Sequence, residues 1–239
     1  MMKVATYIKG HWQLLVLIGL AFFFWEHKVM YPLKIFVIFL HEASHALTAL
    51  LTGGQVLELS LSPQQGGHVK AAGGNGFLIA SAGYLGSLFW GAALFLLGLR
   101  TRLDKVVVGM MGALMLGITA LYIRDLFPLA FCILTGLGLL LSAYFLSQPI
   151  NDLWLRVMGL ASMIYVPYDI FSDTLARSHL VSDARILAEN YGGTTMLWGG
   201  IWLFISMVFL LFIARQSLKS PSNIDFASTK PGKKINPQK

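Results

Sequence analysis

Long apolar stretches alternate with short polar breaks along most of the chain. Seven such stretches can be distinguished, at residues 12–25, 32–53, 77–99, 106–123, 126–146, 153–166 and 196–214. Most approach the ~20 residues that a helix needs to cross a bilayer, although the first and the sixth are shorter. The pattern therefore predicts an all-α polytopic membrane protein with six to seven transmembrane helices, the lower number applying if the first or the sixth stretch does not cross.

The segment between the second and third stretches has a different period. Three leucines alternate there with polar residues, at Leu57, Leu59 and Leu61. A two-residue period is typical of a strand. Residues 63–67 contain the proline and glycines of a turn, and residues 68–72 can return as a second strand. We therefore expect a short β-hairpin at this point.

Composition supports a protein whose surroundings are the lipid bilayer. Of the 239 residues, 56% are hydrophobic and only 12% are charged, and the mean hydropathy is +0.68. These values exclude an ordinary soluble domain. We expect an integral, multi-pass protein of the plasma (inner) membrane, with residues 1–214 forming a single transmembrane domain.

The positive charge of the chain is concentrated at its C-terminal end. Residues 215–239 carry six basic side chains against one acidic residue, Asp225, within a total net charge of +7. Their Ser, Pro, Asn and Lys content predicts a basic disordered tail. A tail of this kind next to a transmembrane helix is typical of contact with anionic lipid, so we expect no nucleic-acid partner.

The second apolar stretch contains the motif His41-Glu42-Ala43-Ser44-His45. On a helix, His41 and His45 lie on one face, so both imidazoles can bind one zinc ion. Glu42 lies beside them and can take a proton from the attacking water. Two histidines and a glutamate are costly within an apolar span, which favours a zinc site over hydrogen-bonded core histidines.

A catalytic zinc ion needs a third protein ligand and one open position. The candidates outside the motif are one histidine and four aspartates: His68, Asp125, Asp169, Asp173 and Asp183. His68 is more simply a solvated residue of the hairpin, and Asp125 can be neutralised by the adjacent Arg124. Spacing alone does not choose among the others.

The motif and its surroundings resemble a known family. The sequence of residues 41–54, HEASHALTALLTGG, is similar to the motif helix of the site-2 protease family of intramembrane zinc metalloproteases, above all its compact B-like bacterial and plant/fungal branch. Further blocks agree in the same order, at residues 82–86 (AGYLG), 123–127 (IRDLF), 168–173, 182–184 (SDA) and 198–202. The resemblance covers about residues 36–214.

This resemblance implies a function and a third ligand. In that branch the S-D-A element is the recurrent acidic motif, which implies Asp183 as the third zinc ligand, with Asp169 second and Asp125 in reserve. The L-D-G motif of the better-known members is missing from this chain. The implied activity is that of a zinc metalloendopeptidase cleaving membrane-embedded protein substrates, with the strand at Leu57, Leu59 and Leu61 as a template for the extended substrate.

Two other functions are less consistent with the pattern. A non-catalytic member of the same fold that binds membrane helices has no need of Glu42. A metal-handling transporter favours ionisable residues in several spans and an internal repeat, and the sequence shows no repeat. Nothing in the sequence indicates an oligomeric state.

Overall fold

A computed structural model of the chain describes residues 2–176 and 181–226. These residues form eight α-helices, α1 to α8, and one hairpin of strands β1 and β2. In chain order the elements are α1 (Met2–Phe23), α2 (Tyr31–Leu51), β1 (Gln55–Ser62), β2 (Gly66–Ala72), α3 (Gly76–Arg100), α4 (Asp104–Tyr122), α5 (Leu126–Phe145), α6 (Gln148–Phe171), α7 (Asp183–Tyr191) and α8 (Thr195–Ser217). A 3-10 turn precedes α2 at Lys28–Met30, and a π-helical turn follows α6 at Ser172–Ala176.

Five helices are long and apolar enough to cross a membrane: α2, α3, α4, α5 and α8. The predicted class, a mostly helical membrane protein with a short hairpin after α2, is thereby confirmed. Helices α1 and α6 are as long as the others, with 22 and 24 residues. They do not reach the same apolarity, because α1 carries Lys9, His11 and Gln13 while α6 carries Asp152 and Arg156.

Local signals explain where the helices begin and end. Pro32 lies in the first turn of α2, where its missing N–H costs nothing. After α2 the chain turns at Gly53, which has a φ of +83°. Asn75 caps α3 by accepting a hydrogen bond from the backbone N–H of Leu78, and Thr194 caps α8 in the same way. These caps place the polar breaks between the apolar helices.

Small residues allow α3 to pack closely against two other helices. A Cβ atom added at Gly91 would lie 2.6 Å from Cβ of Ser162 on α6. The Ser162 hydroxyl donates to the backbone carbonyl of Ser87, at 2.7 Å. On the side facing α2, Gly86 lies against Ser44 and Gly83 lies against the histidines. Helix α3 is thus held between α2 and α6.

The hairpin is an antiparallel pair in which Ser60 lies opposite His68 and Leu61 lies opposite Gly67. Leu59 and Leu61 are buried in the apolar cluster that includes residues of α2, α4 and α5. On the exposed part, Lys70 donates to Glu58 at 2.7 Å, and this bond lowers the pKa of the Glu58 carboxyl. Strand β2 is exposed except at Val69, which is partly buried.

The segment that follows α8 folds back onto α1. The backbone N–H of Ser222 donates to the carbonyl of Gly10 at 2.9 Å, and the Ser222 hydroxyl lies 2.8 Å from Nδ1 of His11. Gln13 exchanges two hydrogen bonds with the backbone of Ile224. The boundary predicted at residue 215 therefore falls inside α8, and residues 227–239 of the predicted tail lie outside the described residues.

Candidate metal centre

His41 and His45 lie one turn apart on α2, with their ring centroids 4.7 Å apart. Nδ1 of His45 donates a hydrogen bond to the backbone carbonyl of Ile79 on α3, at 2.6 Å. That bond requires the proton on Nδ1, which leaves the lone pair of Nε2 to bind a metal ion in the neutral ring. The contact with α3 therefore fixes both the tautomer and the orientation of this imidazole.

Asp183 joins the two histidines from the first turn of α7. Its Oδ2 lies 3.0 Å from Nε2 of His41 and 3.3 Å from Nε2 of His45. Ser182 caps the helix by accepting from the backbone N–H of Arg185, which sets the position of the following residue. Burial opposes ionisation of Asp183, but the imidazoles of His45 and His41 hold the pKa of its carboxyl well below the usual range. A carboxylate is the form of aspartate that binds metal ions.

The three side chains have the geometry of a zinc site. One ligand atom from each lies within 4.8 Å of the other two. Tetrahedral zinc with bonds of about 2.0–2.1 Å brings its ligand atoms about 3.3 Å apart, close to the separations from Asp183 to the two rings. Gly83 leaves the space open, because a Cβ atom there would overlap both imidazoles and lie 2.5 Å from Nε2 of His45. The donor set and the free volume therefore fit a zinc ion.

Glu42 lies beside this group and is not one of its ligand candidates. Its side chain is buried beneath the hairpin, where Gly67 of β2 contacts it. A Cβ atom at Gly67 would lie 2.5 Å from Oε1 of Glu42 and 2.7 Å from its Cγ. The carboxylate is therefore covered by the Gly67 backbone, and a side chain at this position would displace Glu42 or the strand.

The metal group and Glu42 line a cavity of about 590 Å³. Its other walls come from residues 64–69 around the hairpin turn, from Ile79 and Tyr84 of α3, and from the C-terminal part of α6. The cavity thus combines a metal-binding group, a carboxylate and an exposed strand.

A family model for peptidase M50B-like proteins matches residues 14–213, which include all of these side chains. The chain belongs to the peptidase M50B-like family. This confirms the site-2 protease resemblance of the motifs. A comparison with curated proteins and one with solved structures gave no match.

The other acidic candidates for the third metal ligand of this M50B-like chain lie next to other groups. Asp169 and Asp173 line the cavity, but neither belongs to the group within ligand distance. Asp173 accepts a hydrogen bond of 2.8 Å from the Tyr84 hydroxyl, whose ring packs edge-on against His41. Asp125 accepts a hydrogen bond from the Ser60 hydroxyl of β1. The structure therefore brings Asp183 to the two histidines and leaves Asp125 at the hairpin.

The hairpin contributes His68 to the cavity but none of the leucines predicted to bind substrate. His68 lines the cavity, with a side chain 52% exposed and Nε2 3.4 Å from Glu58. None of the residues predicted to bind substrate, Leu57, Leu59 and Leu61, lines the cavity. Leu59 and Leu61 are buried because their side chains face the helices, while Leu57 is 62% exposed. The strand at the cavity is β2.

Sequence reasoning missed the two glycines that shape this M50B-like site. Gly67 lies in a Gly-Gly pair at the start of β2, and Gly83 lies in a row of small residues spaced by four on α3. Both patterns indicate close approach of another group. Neither pattern identifies the approaching group. At Gly67 that group is Glu42, and at Gly83 it is the pair of imidazoles.

Proposed function

We propose that this chain is a zinc-dependent intramembrane endopeptidase that hydrolyses peptide bonds of membrane-embedded proteins. The observation that supports this most is the convergence of His41, His45 and Asp183 beside the Glu42 carboxylate, in a cavity between apolar helices. A non-catalytic scaffold that binds membrane helices would not need the Glu42 carboxylate.

The ligands would be Nε2 of His41, Nε2 of His45 and a carboxylate oxygen of Asp183. A bound zinc ion would supply a Lewis acid that activates water and polarises the scissile carbonyl. The residues of the chain hold the donor atoms in place: Ile79 orients His45, and the cap of α7 positions Asp183. Loss of one such ligand weakens the whole site.

Glu42 would act as general base. Its carboxylate accepts the proton of the attacking water and passes it to the leaving amine. It is well placed for this task, because it is buried next to His41 and touches backbone at Gly67. A covering strand without a side chain at this point would leave the carboxylate oxygens accessible to the attacking water and near the substrate position.

The substrate would bind in extended form along β2. A transmembrane helix hides its own peptide bonds, so cleavage needs a locally unwound segment. The described sheet has two strands, which leaves one edge of β2 without a strand partner. An extended segment can add to such an edge through backbone hydrogen bonds. We also propose that α1 and α6 complete a seven-helix bundle in the plasma membrane.

The test is cleavage by the purified chain in lipid vesicles loaded with zinc. A set of single-span membrane segments is reconstituted with it, and products are mapped by mass spectrometry. We expect cuts within apolar spans. Glu42→Gln keeps the shape of the side chain but cannot accept a proton, so it should retain zinc and lose about 10²-fold or more in rate.

Two results would contradict the proposal. Wild-type chain that holds zinc but cleaves no segment would indicate a binding role instead. Undiminished cleavage by Glu42→Gln would show that another group is the base.

A further inference from the structure

Strand β1 is enclosed on both of its faces at residues 59–61. Leu59 and Leu61 point towards the apolar cluster and are 0% and 4% exposed. Ser60, on the opposite face, is also buried, at 6% exposed. A polar residue in such a place needs a hydrogen-bond partner, because an unpaired buried hydroxyl is destabilising.

The partner of Ser60 comes from a transmembrane helix. The Ser60 hydroxyl donates to Oδ2 of Asp125, at the N-cap of α5. An aspartate at an N-cap usually accepts from the first backbone N–H groups of its own helix. Asp125 makes no such bond to α5, so its carboxylate serves the hairpin instead.

This bond has no equivalent elsewhere in the hairpin. Among the described residues, the other side-chain hydrogen bonds of residues 55–72 stay within the two strands and their turn. Apolar packing of Leu59 and Leu61 resists separation of β1 from the helices, but it is not directional. The Ser60–Asp125 bond adds the directional constraint.

The register of the hairpin carries this constraint to the metal centre. Ser60 lies opposite His68, and the next residue, Leu61, lies opposite Gly67. Gly67 is the residue whose backbone rests against the Glu42 carboxylate. A shift of β1 along its axis would therefore move Gly67 relative to Glu42.

We propose that Ser60 and Asp125 are positioning residues, whose hydrogen bond holds the hairpin so that Gly67 stays over Glu42. They touch neither the ligand group nor the reacting atoms. Their importance for catalysis rests on the proposed function, but their effect on the hairpin does not. Asp125 therefore anchors the hairpin rather than binding the metal.

Hydrogen exchange of the full-length chain in lipid nanodiscs tests this directly. Ser60→Ala and Asp125→Ala each remove the bond, and a buried bond to a carboxylate is strong, so amides of the β1–β2 ladder should exchange at least about tenfold faster. The double variant should exchange no faster than either single one. Bound zinc, measured by elemental analysis, should stay at the wild-type level in all three.

Two further variants separate positioning from general loss of stability. Ser142→Ala removes an equally buried serine hydroxyl near the other end of α5, where it bonds to Asn151, and should leave exchange of the ladder unchanged. Asp125→Asn keeps an acceptor oxygen and should behave more like the wild type than Asp125→Ala. With a labelled single-span segment that the wild type cleaves as probe, Ser60→Ala should raise KM several-fold, whereas Ser142→Ala should leave KM unchanged.

The proposal is overturned if ladder exchange is unchanged in both alanine variants, if their effects add, or if Asp125→Ala loses zinc. Faster ladder exchange in a chain whose wild type cleaves none of the reconstituted single-span segments would support the anchor and count against the proposed protease activity.

Discussion

At Gly83 the absence of a side chain leaves the space in which His41, His45 and Asp183 meet. The ligand atoms approach to 3.0–3.3 Å there, and any β-carbon at position 83 would occupy the same volume. An alanine in a helix normally stabilises it relative to glycine, by about 1 kcal/mol. At this position the steric overlap should outweigh that gain.

Gly83→Ala should therefore weaken zinc binding by at least about tenfold, the range seen when the surroundings of a metal ligand are disturbed. Gly138→Ala is the matched control, because a Cβ atom there meets nothing within 4 Å. Zinc titration of both purified variants checks the difference. Equal affinity in the two would show that the ion does not sit between the histidines and α3.

The role of Asp183 gives a second prediction. Asp183→Asn removes the charge of a proposed ligand and should weaken zinc binding as strongly as His45→Ala, since each variant would lose one of the three proposed protein ligands. Asp125→Asn should keep its zinc. Elemental analysis of the three variants checks this. Loss of metal from Asp125→Asn alone would show that Asp125, and not Asp183, is the third zinc ligand.

Sequence reasoning reached part of this group. The spacing of His41 and His45 places both on one helical face, because a helix repeats every 3.6 residues. Asp183 is 142 positions from His41, and only the packing of α7 against α3 and α8 brings it there. A local sequence pattern contains no information about a contact between residues so far apart in the chain. The S-D-A element suggested it by resemblance only.

The hairpin shows what an alternating pattern can and cannot predict for an element. Leu57, Leu59 and Leu61 correctly indicated a strand, since alternate residues face opposite sides. The pattern does not say which strand of the pair borders a cavity. Strand β2, with its glycines and mostly exposed residues, has no comparable pattern and yet lines the site.

Gly67→Ala tests the contact between hairpin and carboxylate. The added methyl group overlaps Glu42, so either β2 or the carboxylate must move. A displacement of about 1 Å near reacting atoms can cost up to about 10²-fold in rate, and we expect kcat to fall roughly 10- to 100-fold with zinc retained. Gly66→Ala should cost less, because its Cβ atom would lie 4.0 Å from Ser62. An equal loss in both would mean that the turn tolerates no side chain for reasons unrelated to Glu42.

Helix α6 has the length of a membrane span, but its charged residues lower its apolarity. Arg156 is 4% exposed and pairs with Asp152, so the charges of this helix face the protein and not the surroundings. A mean hydropathy counts these charged side chains as if they faced the surroundings of the protein. The number of crossings therefore depends on packing, which sequence patterns do not reveal.

At the scale of the whole molecule, the segment after α8 connects helices that are far apart in the chain. Arg100 at the end of α3 donates to the hydroxyl of Ser220 in this segment. It also donates to the backbone carbonyls of Gln216 and Ser217 in the last turn of α8, at 2.6 and 3.0 Å. Arg156 of α6 donates to the carbonyl of Ser222. The same segment bonds to α1 through His11 and Gln13. It therefore ties three helices together at one end of the bundle.

Ending the chain after Ser217 should lower thermal stability. Six hydrogen bonds to α1 would be lost, each worth about 1 kcal/mol, and His11 would be left buried without its partner. We expect Tm to fall by about 5–15 °C. A chain ended after Phe226 keeps the segment and should match the full length. Thermal unfolding in detergent compares the two, and identical Tm values would show that the segment does not stabilise α1.

The link between α1 and residues 222–224 has a consequence for biosynthesis. Helix α1 leaves the ribosome before the other seven helices, but its hydrogen-bond partners lie 210 or more positions later. Contacts this distant form late, since the intervening chain must first be ordered. Until α8 and the residues after it have been translated, His11 and Gln13 have no partners from that segment. Helix α1 is therefore made before the other seven helices but gains these hydrogen bonds late. A nascent chain stalled within α8 would present an incompletely closed bundle to quality-control proteases.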